Sequence, residues 1–138
     1  MPFFMGEYSY ALDEKGRVKI PAAFKSDLAP EPESIVYLVR DREECVAVYT
    51  PEEYHKLRNQ LTALDMNVMA NRILARRQIS SAFEVPVDAQ GRIKVPVELI
   101  KSARLDKGGE VKVAGFMNCV QIWNPDEYQK SMSLQDVE

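Results

Sequence analysis

Histidine and cysteine are nearly missing from this chain. His55 is the only histidine, and Cys45 and Cys119 are the only cysteines. With no Cys-x-x-Cys pair and no His cluster beside them, neither a zinc site nor a disulfide framework is indicated, and two buried, reduced thiols are expected. Long apolar runs are missing too: none approaches the roughly 20 residues of a membrane span. The opening "MPFFMGEYSY" has neither the basic start nor the apolar stretch of a secretion signal. A soluble, cytoplasmic protein is expected, with the four residues before Met5 read as a minor extension. Positive charge is not in excess: 18 Lys and Arg stand against 21 Asp and Glu, a net charge of -3. That argues against a general polyanion binder coated in basic residues. A local basic patch stays open, because exposed charges more than about 10 Å apart are largely screened from one another. Finally, there is no nucleophile elbow, glycine-rich phosphate loop or metal-ligand spacing. His55 lies in "PEEYHKLRNQL", far in sequence from either cysteine. No catalytic residue, metal, cofactor or small-molecule substrate is therefore expected, and the chain does not read as an enzyme.

What the chain does hold is a repeat. "DEKGRVKIP" (Asp13 to Pro21) returns as "DAQGRIKVP" (Asp88 to Pro96), with five of nine positions identical and two more exchanging Val and Ile. Upstream, Tyr8, Tyr10 and Leu12 alternate with polar residues, as do Phe83, Val85 and Val87. Such alternation marks a half-buried strand. Downstream, "CVAVYTPEEY" from Cys45 matches "CVQIWNPDEY" from Cys119, so two copies fill nearly the whole chain. At 138 residues, 46% of them hydrophobic, the length suits one compact domain or two small halves sharing a core.

Each copy reads as strand, turn, strand, short helix, strand, strand, helix, giving a mixed α+β architecture with internal pseudo-twofold symmetry. The short helices are expected to start near Pro21 and Pro96, since a fixed φ suits the first helical position. The longer ones should be capped by Thr50 and Asn124, each followed by proline and then an acidic residue three positions after the cap. "SIVYLVR", "CVAVY", "EVKVAG" and "CVQIW" are β-branched and aromatic runs that read as strands. The division is residues 7–62 and 82–130 for the two repeats, 63–81 for a connecting helix, and 131–138 for a polar tail. In the connecting segment Met66, Met69, Ala70 and Ile73 fall at helical spacing and are expected to pack, with Asp65 as cap. Arg72 and Arg76 share a face there, expected to be solvated or paired with an acidic neighbour.

Turn geometry accounts for part of the repeated motif. Asp13 and Asp88 suit the first position of a type I turn, and Gly16 and Gly91 the left-handed position that closes it. The basic residues are left over. Beyond the turn, side chains alternate faces, so Val18, Ile20, Ile93 and Val95 go one way while Arg17, Lys19, Arg92 and Lys94 go the other. Lys15 adds a further charge beside the first turn. Generic solvated strands would accept Thr, Glu or Gln there as easily. A β-ribbon headed by arginine suits the major groove of duplex DNA, where Arg can bond two guanine acceptors at once, worth about 1–3 kcal/mol in discrimination, and Lys can position on phosphate. So few contacts per chain imply weak binding, which oligomerisation over repeated sites would strengthen.

"GEYSYALDEKGRVKIPAAFK", the second "DAQGRIKVP" and the doubled layout resemble the MraZ family of bacterial transcription regulators. That family looks like two fused AbrB-type swapped-hairpin modules, which implies an internally duplicated swapped-hairpin β-barrel with peripheral helices. The resemblance also implies a nucleoid-associated, sequence-specific binder of double-stranded DNA that acts on the promoter of the division and cell-wall gene cluster. It further implies recognition of short direct repeats and assembly into a ring of identical chains. The family's D-x-x-x-R positions fall on Asp13 with Arg17 and on Asp88 with Arg92. The competing reading is a self-assembling scaffold whose basic hairpins meet acidic protein surfaces, for which the acid-rich first half ("EPE", "DREEC") offers a partner on a neighbouring copy.

Overall fold

In the computed structural model, which describes residues 2–133, the two copies are interwoven into one body. The first contributes strands β1 (Glu7–Ala11), β2 (Arg17–Lys19), β3 (Ile35–Arg40) and β4 (Cys45–Tyr49) with helices α1 (Ala22–Leu28) and α2 (Pro51–Thr62). A linking helix α3 (Met69–Ala75) runs into a π-helical turn, Arg76–Ser80. The second copy repeats the order as β5 (Phe83–Pro86), β6 (Arg92–Lys94), α4 (Val97–Ser102), β7 (Glu110–Phe116), β8 (Cys119–Trp123) and α5 (Pro125–Ser131).

Six strands form an antiparallel sheet in the order β1-β7-β8-β4-β3-β5, and β2 with β6 form a separate two-stranded ribbon. Exchanging the copies leaves both orders unchanged. The pseudo-twofold axis runs through Ala47 facing Gln121 in the large sheet and through Val18 facing Ile93 in the ribbon. The large sheet is open, with β1 and β5 at its edges. Consecutive strands around the repeated motif do not pair with each other. β1 lies on β7, β5 on β3, and β2 on β6, so every one of these partners comes from the other copy.

That exchange gives the molecule a shared core. Leu12, Val18, Ile20 and Phe24 from the first copy pack in the same cluster as Val87, Ile93, Val95 and Leu99 from the second. Val18 is 2% exposed and Val95 1%. Burying such side chains is worth about 1.5–3 kcal/mol each, so the ribbon's inner face anchors its outer one. Cys45 and Cys119 are buried and unpaired, in agreement with the sequence reading. Burial pushes the Cys119 thiol up to about 12 and raises Cys45 further.

The helix signals resolve unevenly. Thr50 Oγ1 accepts from Glu53 N at 3.1 Å and Asn124 Oδ1 from Asp126 N at 2.8 Å, so both caps form. Glu53 does not complete a reciprocal box; it takes Asn118 and Lys56 instead. Pro21 and Pro96 stand one residue before their helices as the N-cap residues, because the residues before them, Ile20 and Val95, still donate to the opposite copy's Gly91 and Gly16 carbonyls. The connecting helix is shorter than the 63–81 span, and Val68 rather than Asp65 precedes it. Asp65 tightens the turn before the helix by accepting from Asn67 N. Of the expected stripe of Met66, Met69, Ala70 and Ile73 only Met66, before the helix, is half-buried: no residue of α3 is buried, and Met69 is 64% exposed. Periodicity marked an apolar face correctly, but the sheet offers it no surface. The N-terminal segment is more than an extension, since Phe4 is 2% exposed, bridges Met117 and stacks edge-on against Phe24. Of the polar tail at 131–138, residues 134–138 lie outside the described residues.

Candidate nucleic-acid interface

Each motif turn is held from within. Asp13 Oδ1 accepts from the backbone N–H groups of Lys15 at 2.9 Å and Arg17 at 2.8 Å, and Gly16 N donates to Asp13 O at 2.9 Å. The second turn repeats this, with Asp88 Oδ1 accepting from Gln90 N and Arg92 N, both at 2.9 Å. Gly16 at φ +80 and Gly91 at φ +76 occupy the left-handed region that side chains disfavour. Their carbonyls carry the ribbon onward: Val95 N donates to Gly16 O and Ile20 N to Gly91 O, again between copies.

The second carboxylate oxygen does something that turn chemistry alone does not require. Asp13 Oδ2 accepts from Arg17 Nε at 2.8 Å, and Asp88 Oδ2 from Arg92 Nε at 3.0 Å. Each guanidinium is therefore gripped along its Nε edge. Its two terminal nitrogens make no hydrogen bond or ion pair among the described residues. The backbone N–H of Arg17, above all, holds the Asp13 carboxyl below its ordinary range, and the N–H of Arg92 does the same for Asp88. Both carboxylates are thus ionised at neutral pH and keep their grip there. The pairing was hidden in the sequence, because an i, i+4 Asp and Arg outside a helix meet only if the intervening turn closes. The D-x-x-G-R spacing is the one signal that could have revealed it.

The four repeated basic residues share one outward face. In the ribbon Arg17 stands opposite Lys94, and Lys19 opposite Arg92, while Val18 and Ile93 between them point into the core. Like charges facing each other across strands disfavour pairing. The two aspartates offset this at the arginines, which are half-buried, and solvent does so at Lys19 and Lys94, which are exposed. Lys15 is exposed beside the first turn. The structure thus brings Arg17, Lys19, Arg92 and Lys94 into a single patch with Lys15 at its margin. It gathers no group of His, Cys, Asp or Glu that could hold a metal among the described residues. His55 is exposed on α2.

Sequence reading missed the two loops that flank the turns. The segment 103–109 ("ARLDKGG") lies against the first turn, with Gly108 N donating to Leu12 O and Leu12 N to Gly109 O. Its pseudo-symmetric counterpart, 29–34 ("APEPES"), lies against the second, with Val87 N donating to Ser34 O. Strand exchange puts each loop beside the other copy's turn, so no local signal could pair them.

A family model described as "MraZ protein, putative antitoxin-like" matches residues 3–77 and again 79–136. The protein named Transcriptional regulator MraZ from Cytophaga hutchinsonii is 36% identical over 136 residues, covering 99% of this chain and 88% of that protein. The one so named from Alkaliphilus oremlandii is 36% identical over 127 residues, covering 92% and 85% respectively. A third, from Halothermothrix orenii, is 37% identical over 121 residues, covering 88% and 80%.

Proposed function

The chain belongs to the MraZ family, and on that premise we propose that it is a sequence-specific, DNA-binding transcription regulator whose reading head is the β2–β6 ribbon. The family is one of transcriptional regulators and not of enzymes. In this reading Arg17 and Arg92 contact bases, Lys15, Lys19 and Lys94 contact phosphates, and Asp13, Gly16, Asp88 and Gly91 hold the turns. One observation carries it above the others: both guanidiniums are fixed by an aspartate through Nε, with their terminal nitrogens unengaged on one outward face. An arginine oriented in advance loses less freedom on forming a bidentate contact. Two strands match the width of the major groove.

The target we infer is the promoter of the division and cell-wall gene cluster, read as short direct repeats by a ring-like homo-oligomer in the cytoplasm, on the nucleoid. No helix among the described residues is long and apolar enough to cross a membrane. The two repeats, 7–62 and 82–130, would form one swapped-hairpin module, a reading supported by the pairing of β2 with β6, β1 with β7 and β5 with β3. Assembly is supported by apolar side chains left in solvent, Met69 at 64% and Ile73 at 45% on α3, and Phe116 and Met117 at 46% and 52% at the end of β7. Those same side chains favour the second reading, a self-assembling scaffold.

The Arg17→Ala, Arg92→Ala double variant separates the two. In a gel shift on DNA upstream of the protein's own gene it is expected to lose binding while keeping its fold and oligomer. A variant that dissociates into monomers yet binds DNA as before would assign the arginines to assembly.

A further inference from the structure

The two copies differ in what fills the groove between each motif turn and the loop beside it. Aligned on the motifs, Glu14 corresponds to Ala89, Gly108 to Glu33, Ile100 to Lys25 and Leu105 to Pro30. At the first turn the groove is closed from within. Glu14 lies across it onto Gly108, Ile100 Cδ1 reaches to 3.2 Å from where a Gly16 Cβ would sit, and Leu105 is buried. At the second turn Ala89 is too short to cross, and Lys25 Nζ stands 3.6 Å from the corresponding point on Gly91. A cleft of about 550 Å³ stays open there, with Pro30, Pro32 and Val87 on its apolar wall and Lys25, Glu31 and Glu33 as its charges.

These charges are opposite in sign and yet do not pair. Among the described residues none of Lys25, Glu31 and Glu33 uses its side chain in a hydrogen bond or ion pair. The loop has little freedom to bring them together, since prolines with fixed φ flank Glu31 and Glu33 takes φ +63. A cleft of this size, with an apolar wall and a few separated polar groups, has the form of a small-molecule site.

We propose that it binds a short peptide with free ends and apolar side chains, a di- or tripeptide. The peptide's carboxylate takes Lys25, its ammonium takes Glu31 and Glu33, and its side chains cover Pro30, Pro32 and Val87. A single amino acid carries both charges on one carbon, whereas a peptide holds them apart, as the cleft does. Charge-assisted contacts at both ends and burial of the side chains favour binding. The site borders the motif: Asp88 also lines the cleft, and its Oδ2 holds Arg92 Nε at 3.0 Å. A bound peptide is therefore felt at Arg92 and not at Arg17, whose groove is closed. The inference stands apart from the DNA-binding reading, because it needs only the second turn and its loop.

Titration of the full chain with valyl-valine and its tripeptide homologue, followed through the Nε–H resonances of the two arginines, tests this. Arg92 is expected to shift saturably while Arg17 stays, and the N-acetylated, C-amidated peptide, which lacks both charges, is expected to move neither. Lys25→Gln and the Glu31→Gln, Glu33→Gln double variant are each expected to weaken binding roughly tenfold or more, the loss of a charge-assisted contact. All three residues are exposed, so these variants are expected to melt as wild type does. No saturable shift of Arg92 by about 10 mM peptide overturns the site. Equal binding of the capped peptide, or wild-type affinity in the variants, overturns the pairing of its ends with Lys25 and the glutamates. An equal shift at Arg17 overturns the assignment to the second turn.

Discussion

Replacing both motif arginines with lysine, Arg17→Lys with Arg92→Lys, isolates what the guanidinium contributes from what its charge contributes. The ribbon's charge is unchanged by this substitution, so the phosphate contribution to affinity and its salt dependence are expected to persist. What disappears is geometric. Arg17 and Arg92 donate Nε to Asp13 and Asp88 at 2.8 and 3.0 Å and still have two coplanar terminal nitrogens for a base edge. An ammonium that binds the aspartate has no fixed fork left for a guanine. Each bidentate contact contributes about 1–3 kcal/mol of discrimination, a factor of roughly 5 to 150 in the ratio of specific to non-specific affinity. Competition of labelled repeat DNA against unlabelled scrambled duplex, at several salt concentrations, reads this ratio directly. The double variant is expected to bind scrambled DNA within about threefold of wild type, with its preference for the repeat largely gone. A variant that keeps full preference would refute the reasoning, since the arginines would then act only as positive charges.

Three further outcomes follow from the turns and the core. Gly16→Ala and Gly91→Ala each place a side chain at positive φ, costing about 1–2 kcal/mol in urea unfolding. Gly16→Ala is expected to be the worse of the two, because its Cβ meets Ile100 Cδ1 at 3.2 Å and the Val95 carbonyl at 3.4 Å, whereas Gly91 faces only the flexible end of Lys25. The Asp13 and Asp88 carboxyls titrate below the ordinary aspartate value of 3.8 in the folded protein. Their contribution is therefore complete above that value and fades as pH falls through the lower folded one. The Nε–H resonances of Arg17 and Arg92 should accordingly hold steady from neutral pH to about 4.5 and move only below it. Phe4→Ala, which empties a position 2% exposed between Phe24 and Met117, is expected to destabilise by about 3–5 kcal/mol in thermal unfolding, an effect that a disposable N-terminal extension would not show.

Local chemistry was legible wherever it acts within a few residues. The alternation around Val18 and Ile93 located the inward face of the ribbon, Asp13 and Gly16 the turn, and Thr50 and Asn124 the caps. These signals need only a neighbour along the chain to be satisfied. Where the needed partner lies far away, the pattern could be seen but not its resolution. The apolar stripe of α3 is real, yet nothing in its periodicity says that the sheet leaves it uncovered. The proline starts were displaced by one residue because Ile20 and Val95 are still bonded to the opposite copy's glycine when the chain reaches them.

By itself, then, the sequence determined that there are two copies, which elements each contains, and that Arg17, Lys19, Arg92 and Lys94 face away from the core. Period-two burial and turn stereochemistry decide those matters locally. Only the tertiary structure decided that β2 finds β6 rather than β1, because strand pairing selects among distant partners of similar propensity through shared burial. From that single choice come the four-cation face, the setting of two locally closed Asp–Arg turns at its opposite ends, and the placing of each flanking loop beside the other copy's turn.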